Sequence, residues 1–255
     1  MSTGVPIPDI PEFDWLDLLK SEKELLGFYV SGHPLQTKSM LLKSYGTPLL
    51  KIDTLNAEMK ENHSESTSLR LAGMVSSFVN KISKKTQKPF GIMLLEDLES
   101  SCEIMLYERT LNSLKERGIS LNVGDEVILE VTARRNDEGE RPRLAVEKLY
   151  MLDQAPELYT EEIYLHIYEK DLQPDTLEKL SSLCRERVVP KGARVVLCIV
   201  NDRETVFVES GIGTVAVDIE FLKQCEKLLG AKNYRIKVKE IAPPVIYYSS
   251  SRDKK

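Results

Sequence analysis

Five short runs that alternate apolar and polar residues, with one helical run between the third and the fourth, constrain this chain more than any other feature. The first run is Leu69 to Phe78, with Leu69, Leu71, Gly73, Val75 and Ser77 on one face and Arg70, Ala72, Met74, Ser76 and Phe78 on the other. Period two is the mark of a strand. A lysine-rich loop, Lys81 to Pro89, leads to a second run, Phe90 to Leu95. Glu96 to Ser100 reads as a turn, and Cys102 to Tyr107 as a third strand. Glu108 to Arg117 has helical composition and stops at Gly118. After the turn Asn122 to Asp125 come Glu126 to Arg135, the hairpin turn Asn136-Asp137-Glu138-Gly139, and Pro142 to Leu149.

That order is the order of an OB-fold, a five-stranded Greek-key barrel with a helix between its third and fourth strands. Before it, Gly4, Pro6, Pro8 and Pro11 mark an extended or mobile lead-in. Trp15 to about Val30 has helical spacing, and Ser21 to Glu24 has the form of a capping box opening a second helix. Gly32-His33-Pro34 is a stop, and Leu35 to Tyr45 a further helix closed by Gly46. After the barrel, strand signals at Ile163–Ile167, Arg194–Val200, Thr205–Glu209, Thr214–Val217 and Tyr234–Val238 mix with helical ones at Pro174–Arg187 and Ile219–Leu229. Pro190-Lys191-Gly192 reads as a turn. The expected class is α+β and multi-domain. Its parts are a helical segment (1–52), a polar linker (53–68), the OB-fold (69–150), a linker (151–160), a small α+β domain (161–248) and a mobile tail (249–255).

Composition narrows the function. A formal charge of -5 excludes a uniformly basic DNA-coating protein, although a local basic strip remains compatible with it. Cys102, Cys184, Cys198 and Cys225 form no CxxC pair, and His33, His63 and His166 lie far from them in sequence. Neither a structural zinc site nor a disulfide scaffold is expected, and a reducing cytoplasm fits. The N-terminus has no signal-peptide pattern, and no run approaches the roughly 18 apolar residues of a membrane span.

The segment Glu22 to Leu35, EKELLGFYVSGHPL, resembles a signature that precedes the OB domain in bacterial DNA polymerase III alpha subunits. Lys88 to Leu98, KPFGIMLLEDL, and Cys102 to Tyr107 resemble the same family's second and third barrel strands, with Ser100 where the family has glycine. The likeness covers about 16–150 well and 160–240 weakly. It implies single-stranded DNA as a partner of the barrel. It also implies the tau subunit of the clamp loader as a partner of the C-terminal domain. At 255 residues there is no room for the metal-binding palm of such a polymerase, so a non-catalytic fragment or truncated relative is expected. The family's sliding-clamp peptide is not matched by Ile10 to Phe13, so no clamp contact is assigned. No cofactor or metal is expected.

Lys81, Lys84, Lys85 and Lys88 border the ligand face of an OB-fold, where ammonium groups neutralise phosphates. Lysine clusters are also ordinary solvated loop tips. Arg134, Arg135, Arg141 and Arg143 flank the hairpin at the other rim, where Asp137, Glu138 and Glu140 offer them pairing partners. Bases stack on aromatic rings, and Phe78, Phe90 and Tyr107 are the candidates. Aromatic residues in a small barrel are more often core, and strand alternation leaves one or two facing the groove, with Phe90 and Tyr107 favoured. His33 reads as a cap, Glu96-Asp97 as a turn, and Gly211-Ile212-Gly213 lacks the lysine and helix of a phosphate loop. No nucleophile–base pair stands out. The alternative is an OB-fold that packs on protein and never touches nucleic acid. An anticodon-binding module of a tRNA synthetase is a third class, disfavoured because no synthetase motif accompanies it.

Overall fold

The computed structural model describes residues 14–27, 29–230 and 233–243. The Ile10 to Phe13 segment, the prolines before it and the tail 249–255 lie outside these residues. The described chain is α+β, built on two sheets.

The chain opens with α1 (Trp15–Leu26), a 3-10 turn (Pro34–Lys38), α2 (Ser39–Tyr45) and α3 (Lys51–Glu61). Gly27, at φ 82, ends α1 short of Val30. Ser21 opens no second helix, because its hydroxyl bonds back to the Asp17 carbonyl within α1 at 2.9 Å. His33 caps the 3-10 turn, its Nδ1 accepting from the Leu35 N–H at 3.1 Å. The stretch read as a polar linker holds α3. That helix buries Ile52, Leu55, Asn56 and Met59 on one side, a stripe hidden in sequence by the lysines and glutamates between them.

The first sheet contains β1 (Ser66–Ile82), β2 (Pro89–Glu96), β3 (Ser101–Tyr107), β4 (Glu126–Arg134) and β5 (Arg143–Met151), with α4 (Glu108–Glu116) between the third and fourth. Its order is β3-β2-β1-β4-β5, all neighbours antiparallel. The two edge strands, β3 and β5, touch each other. The alternation expected for β1 breaks at a bulge between Val75 and Ser77. An extra residue reverses the side-chain phase, so Ser77 turns to solvent and Phe78 packs inward against the core. Gly73 is required by the approach of two backbones. A Cβ there would lie 2.4 Å from the Glu96 carbonyl oxygen.

A 3-10 turn (Leu152–Gln154) and α5 (Ala155–Tyr159) connect the sheets, and Leu152, Ala155 and Tyr159 are buried in place of the linker expected there. The second sheet contains β6 (Thr160–Tyr168), β7 (Val188–Val200), β8 (Thr205–Val215) and β9 (Tyr234–Val238) in the order β8-β7-β6-β9. β6 and β7 are parallel, joined through α6 (Thr176–Arg185) as a parallel pair requires. The expected turn Pro190-Lys191-Gly192 lies inside β7, where Val188 and Ala193 both oppose Val215 and the residues between bulge out. Thr214 to Val217 is not a separate strand, because β8 runs on to Val215. α7 (Ile219–Leu229) begins at Asp218, whose carboxylate accepts from the Phe221 N–H at 2.7 Å, and ends at Gly230 with φ 93.

Two buried clusters organise the whole. One holds Leu69, Leu71, Val75, Met93, Leu95, Ile104, Leu106, Val127 and Leu129 inside the first sheet. The other runs from Ala72, Met74 and Ile128 to Ile163, Leu165, Val195 and Phe221 between the sheets. β1 therefore presents alternate residues to two cores. Arg70, 6% exposed, lies in the same junction. Its guanidinium stacks 4.2 Å from the Tyr159 ring centroid and donates to the Lys239 carbonyl at 2.8 Å. No described helix is long and apolar enough to cross a membrane.

Candidate nucleic-acid interface

Strand register places the expected contact residues. Directly opposed residues in neighbouring strands share a face. Phe90 is opposed by Lys81 on β1 and by Tyr107 on β3, which makes one row across three strands. The next row inward, Asn80, Gly91 and Leu106, puts the fully buried Leu106 into the core. The Lys81–Phe90–Tyr107 row therefore faces outward. So do Val79–Ile92–Met105 and Ser77–Leu94–Glu103, two residues further along each strand. Tyr107 is 52% exposed and Val79 47%, so this face carries open apolar surface with an aromatic ring at one end.

The lysine loop continues from that row. The Ser83 N–H donates to the Lys88 carbonyl at 2.9 Å and the Gln87 N–H to the Ser83 carbonyl at 2.8 Å, which closes a tight turn. Gln87 takes φ 56 to complete it. Lys84 and Lys85 stand at the exposed tip. Among the described residues, Lys81, Lys84 and Lys85 have no ion-pair partner. Lys88 differs, with its Nζ 2.7 Å from Glu108 Oε2 at the start of α4, a contact that holds its pKa up.

The arginines form a second, separate group. Arg134 pairs with Ser66, at the opposite end of β1 from the lysines, and is directly opposed by Arg143. Two exposed guanidinium groups facing each other repel unless an anion lies between them. Arg135 Nε is 2.9 Å from Asp137 Oδ1, and Arg141 Nη2 is 2.6 Å from Asp53 Oδ1 on α3. The hairpin is latched by Asn56, 1% exposed. Its Nδ2 donates to the Asn136 and Gly139 carbonyls at 2.9 and 2.8 Å, and its Oδ1 accepts from the Asn136 N–H at 2.9 Å. Nothing local in the sequence links Asn56 to a turn eighty residues away.

The two groups are related through β3. Burial pushes the Cys102 thiol up, and the Arg141 charge nearby pulls against that shift. Arg141 thus lies near Cys102 at the start of β3, whereas Tyr107 lies at the end of β3 and its partner Phe90 at the start of β2. Five residue steps of strand, about 17 Å, separate Cys102 from Tyr107. The cations do not form one cluster. Arg134 pairs with Ser66, outside the Met74–Ile82 stretch of β1 that β2 covers, so the arginines do not end the β1–β2–β3 face.

The remaining candidates hold structure together. Asp97 Oδ2 accepts from the Leu49 N–H at 2.8 Å, and its Oδ1 from the Glu99 and Ser100 N–H groups at 2.9 and 2.8 Å. That is the turn role read from the sequence, and Ser100 completes it without glycine. Gly211 to Gly213 lie within β8. Among the described residues no group of three His, Cys, Asp or Glu side chains is placed to hold a metal ion. The outward apolar residues Val79, Ile92, Leu94 and Met105 were not singled out from the sequence. Ile92 to Leu95 is apolar without interruption, so alternation gives no sign of which residues face out.

No family model matches the chain. Among curated proteins it is similar to the DNA polymerase III subunit alpha of Helicobacter pylori, 30% identical over 136 residues, covering 53% of this chain and 10% of that protein. The subunit of Saccharopolyspora erythraea is 28% identical over 149 residues, covering 51% of this chain and 12% of that protein. That of Aquifex aeolicus is 25% identical over 197 residues, covering 77% and 16%. The chain thus spans 10 to 16% of the length of these relatives. By sequence, this chain is similar to bacterial DNA polymerase III alpha subunits over about half to three quarters of its length.

Proposed function

We propose that this chain is a non-catalytic part of a bacterial replicative polymerase subunit, and that it holds single-stranded DNA along the outer face of β1, β2 and β3. The Lys81–Phe90–Tyr107 row carries the reading, because it sets a phosphate-neutralising cation beside two aromatic rings on one open face. Stacking on such rings tolerates any base. Strand order, the helix between the third and fourth strands and the contact of β3 with β5 support reading residues 69–150 as an OB-fold, whose ligands bind on this face. Lys84 and Lys85 would guide the backbone at the loop end of this face, while Arg134, Arg135, Arg141 and Arg143 form a separate basic group around the hairpin between β4 and β5. Docking of the clamp-loader tau subunit by residues 161–248 rests on resemblance alone.

Fluorescence anisotropy of a labelled single-stranded oligonucleotide at low and moderate salt tests this. Binding should weaken with salt, by a slope of about 0.7 per phosphate neutralised, and disappear when Lys81, Lys84, Lys85 and Lys88 are all changed to Glu. Retained binding in that variant overturns the assignment of the face. Nucleotide incorporation by the purified chain overturns the non-catalytic reading.

A second reading, a barrel that docks on protein only, draws on the ion pairs that occupy Lys88, Arg135 and Arg141. It is the reading to adopt if the wild-type chain fails to bind at low salt.

A further inference from the structure

The hairpin that joins β4 and β5 carries two charges that no described side chain neutralises. Arg134 and Arg143 are directly opposed across the two strands, and Ser66 opposes Arg134 from β1. The neighbouring pair, Ala133 and Leu144, packs into the first core, so Arg134 and Arg143 point outward together. Both are exposed, and neither has an ion-pair partner among the described residues. The nearby acids are committed elsewhere. Asp137 holds Arg135, Asp53 holds Arg141, and Glu147 accepts from the Thr132 hydroxyl at 3.4 Å. Glu138 and Glu140 lie in the turn and pair with no described cation. Like charges directly opposed on two strands destabilise the pair. The strands are nevertheless held in place, because Asn56 fixes the turn by its hydrogen bonds to Asn136 and Gly139 and β4 is paired on both sides. An anion between the two guanidinium groups turns that repulsion into attraction.

We infer that Arg134 and Arg143 grip one backbone phosphate of duplex DNA between them, a contact separate from the single-stranded face of β1, β2 and β3. The inference rests on reading the chain as a nucleic-acid-binding part of a polymerase. The planar fork of a guanidinium matches the oxygens of a phosphate, and two forks can share one group. Ser66 stands in the same row. What this surface lacks decides between duplex and single strand. An unpaired strand is held by stacking its bases on aromatic rings, and the rows Ser66–Arg134–Arg143 and Ser68–Thr132–Ala145 contain none. A duplex has its bases stacked already and offers phosphates on its outside, where cations and hydroxyls reach them. A free phosphate ion is a poorer fit. Between two exposed side chains it is screened by salt, whereas phosphates joined in one backbone make several contacts at once and release counterions at each. Phosphate contacts carry no sequence information, so the site takes any duplex.

Fluorescence anisotropy of a labelled blunt-ended DNA duplex with the full chain, over a salt series, tests the inference. The wild type should bind at low salt. Arg134→Gln combined with Arg143→Gln should weaken binding and lower the slope of log K against log salt by about 0.9, the value for one phosphate. Because both side chains serve one phosphate, the double exchange should cost less than the sum of the single ones. Single-stranded binding should survive that double exchange. Lys84→Gln with Lys85→Gln should do the opposite, weakening the single strand and sparing the duplex, so failure of this site and failure of the single-stranded face are told apart. Without DNA, Arg134→Gln should raise the melting temperature at low salt by relieving the repulsion, and the gain should vanish at high salt. The same melt shows that the variant is folded. No duplex binding by the wild type, an unchanged slope in the double variant, strictly additive losses, or a lower melting temperature in Arg134→Gln overturns the proposal. So does a wild-type melting temperature raised more by inorganic phosphate than by chloride of equal ionic strength, with no duplex bound, since that marks a site for the free ion.

Discussion

The two sheets treat their edges in opposite ways. The first brings its edge strands β3 and β5 into contact, whereas in the second no described strand pairs with the outer edge of β8. Both expose apolar side chains, Val79 and Tyr107 on one and Val206 and Phe207 on the other. What surrounds them differs. On the first sheet the backbone of β2 is paired on both sides, so only side chains are offered, and Lys81 stands in the row. On the second, no described strand pairs with the outer edge of β8, and Glu204 and Glu209 flank its exposed apolar residues. An exposed apolar strand residue therefore has no single meaning. A face with paired backbone and cations suits a ligand with planar groups and phosphates, and an open edge suits another strand.

The contrast is broken most severely through β1, which lines both cores. Leu71 is fully buried, and Leu71→Ala should cost about 2–5 kcal/mol. Because Ala72 and Met74 of the same strand reach the second core, faster amide exchange is expected in β6 as well as in β2. Loss confined to the first sheet would mean that the two cores are energetically independent.

Next in size is a contrast between two exposed rings. Tyr107→Ala should weaken single-stranded DNA binding by about 1–3 kcal/mol. Phe207→Ala, on the other sheet, should leave single-stranded DNA binding unchanged. An equal loss in the two variants would dissolve the distinction between face and edge.

The smallest effect belongs to α7, which packs against β6 and buries Phe221, Leu222 and Cys225. Burial pushes the Asp218 carboxyl up, but the Phe221 N–H and the Arg187 guanidinium, its Nη1 2.7 Å from Asp218 Oδ2, outweigh burial and hold it below the usual aspartate range. A depressed carboxylate stabilises the fold above its unfolded value, and that contribution is lost as pH falls below about 3.9. Asp218→Ala should cost about 0.5–2 kcal/mol as a lost cap. The deficit should be present at neutral pH and shrink in acid, as urea titrations at several pH values would show.

Much of the fold was readable from local pattern. β9 matches the expected Tyr234–Val238 and α7 the expected Ile219–Leu229, because Asp218 and Gly230 mark the helix ends chemically. β2, β3 and β4 match to within a residue at each end. The failures have physical causes. Residues 51–61 carry so many charges that the buried stripe of α3 escaped the period. The bulge after Val75 has no signature of its own, so Ser77 and Phe78 were placed on the wrong faces.

Of the candidate site, the sequence by itself identified the types and the strands: lysines in one loop, arginines around one hairpin, Phe90 and Tyr107 on two runs. Those properties are local, set by side-chain chemistry and by the two-residue period of a strand. Only the tertiary structure decided which of them meet. Register across β1, β2 and β3 put Lys81, Phe90 and Tyr107 in one row, and α3 tied the arginine hairpin down through Asn56 and Asp53. It also decided that the edge strands of the first sheet meet, while among the described residues no strand pairs with the outer edge of β8. Pairing partners lie tens of residues apart, and their selection depends on how two cores divide the faces of a single strand, a choice no short window of sequence contains.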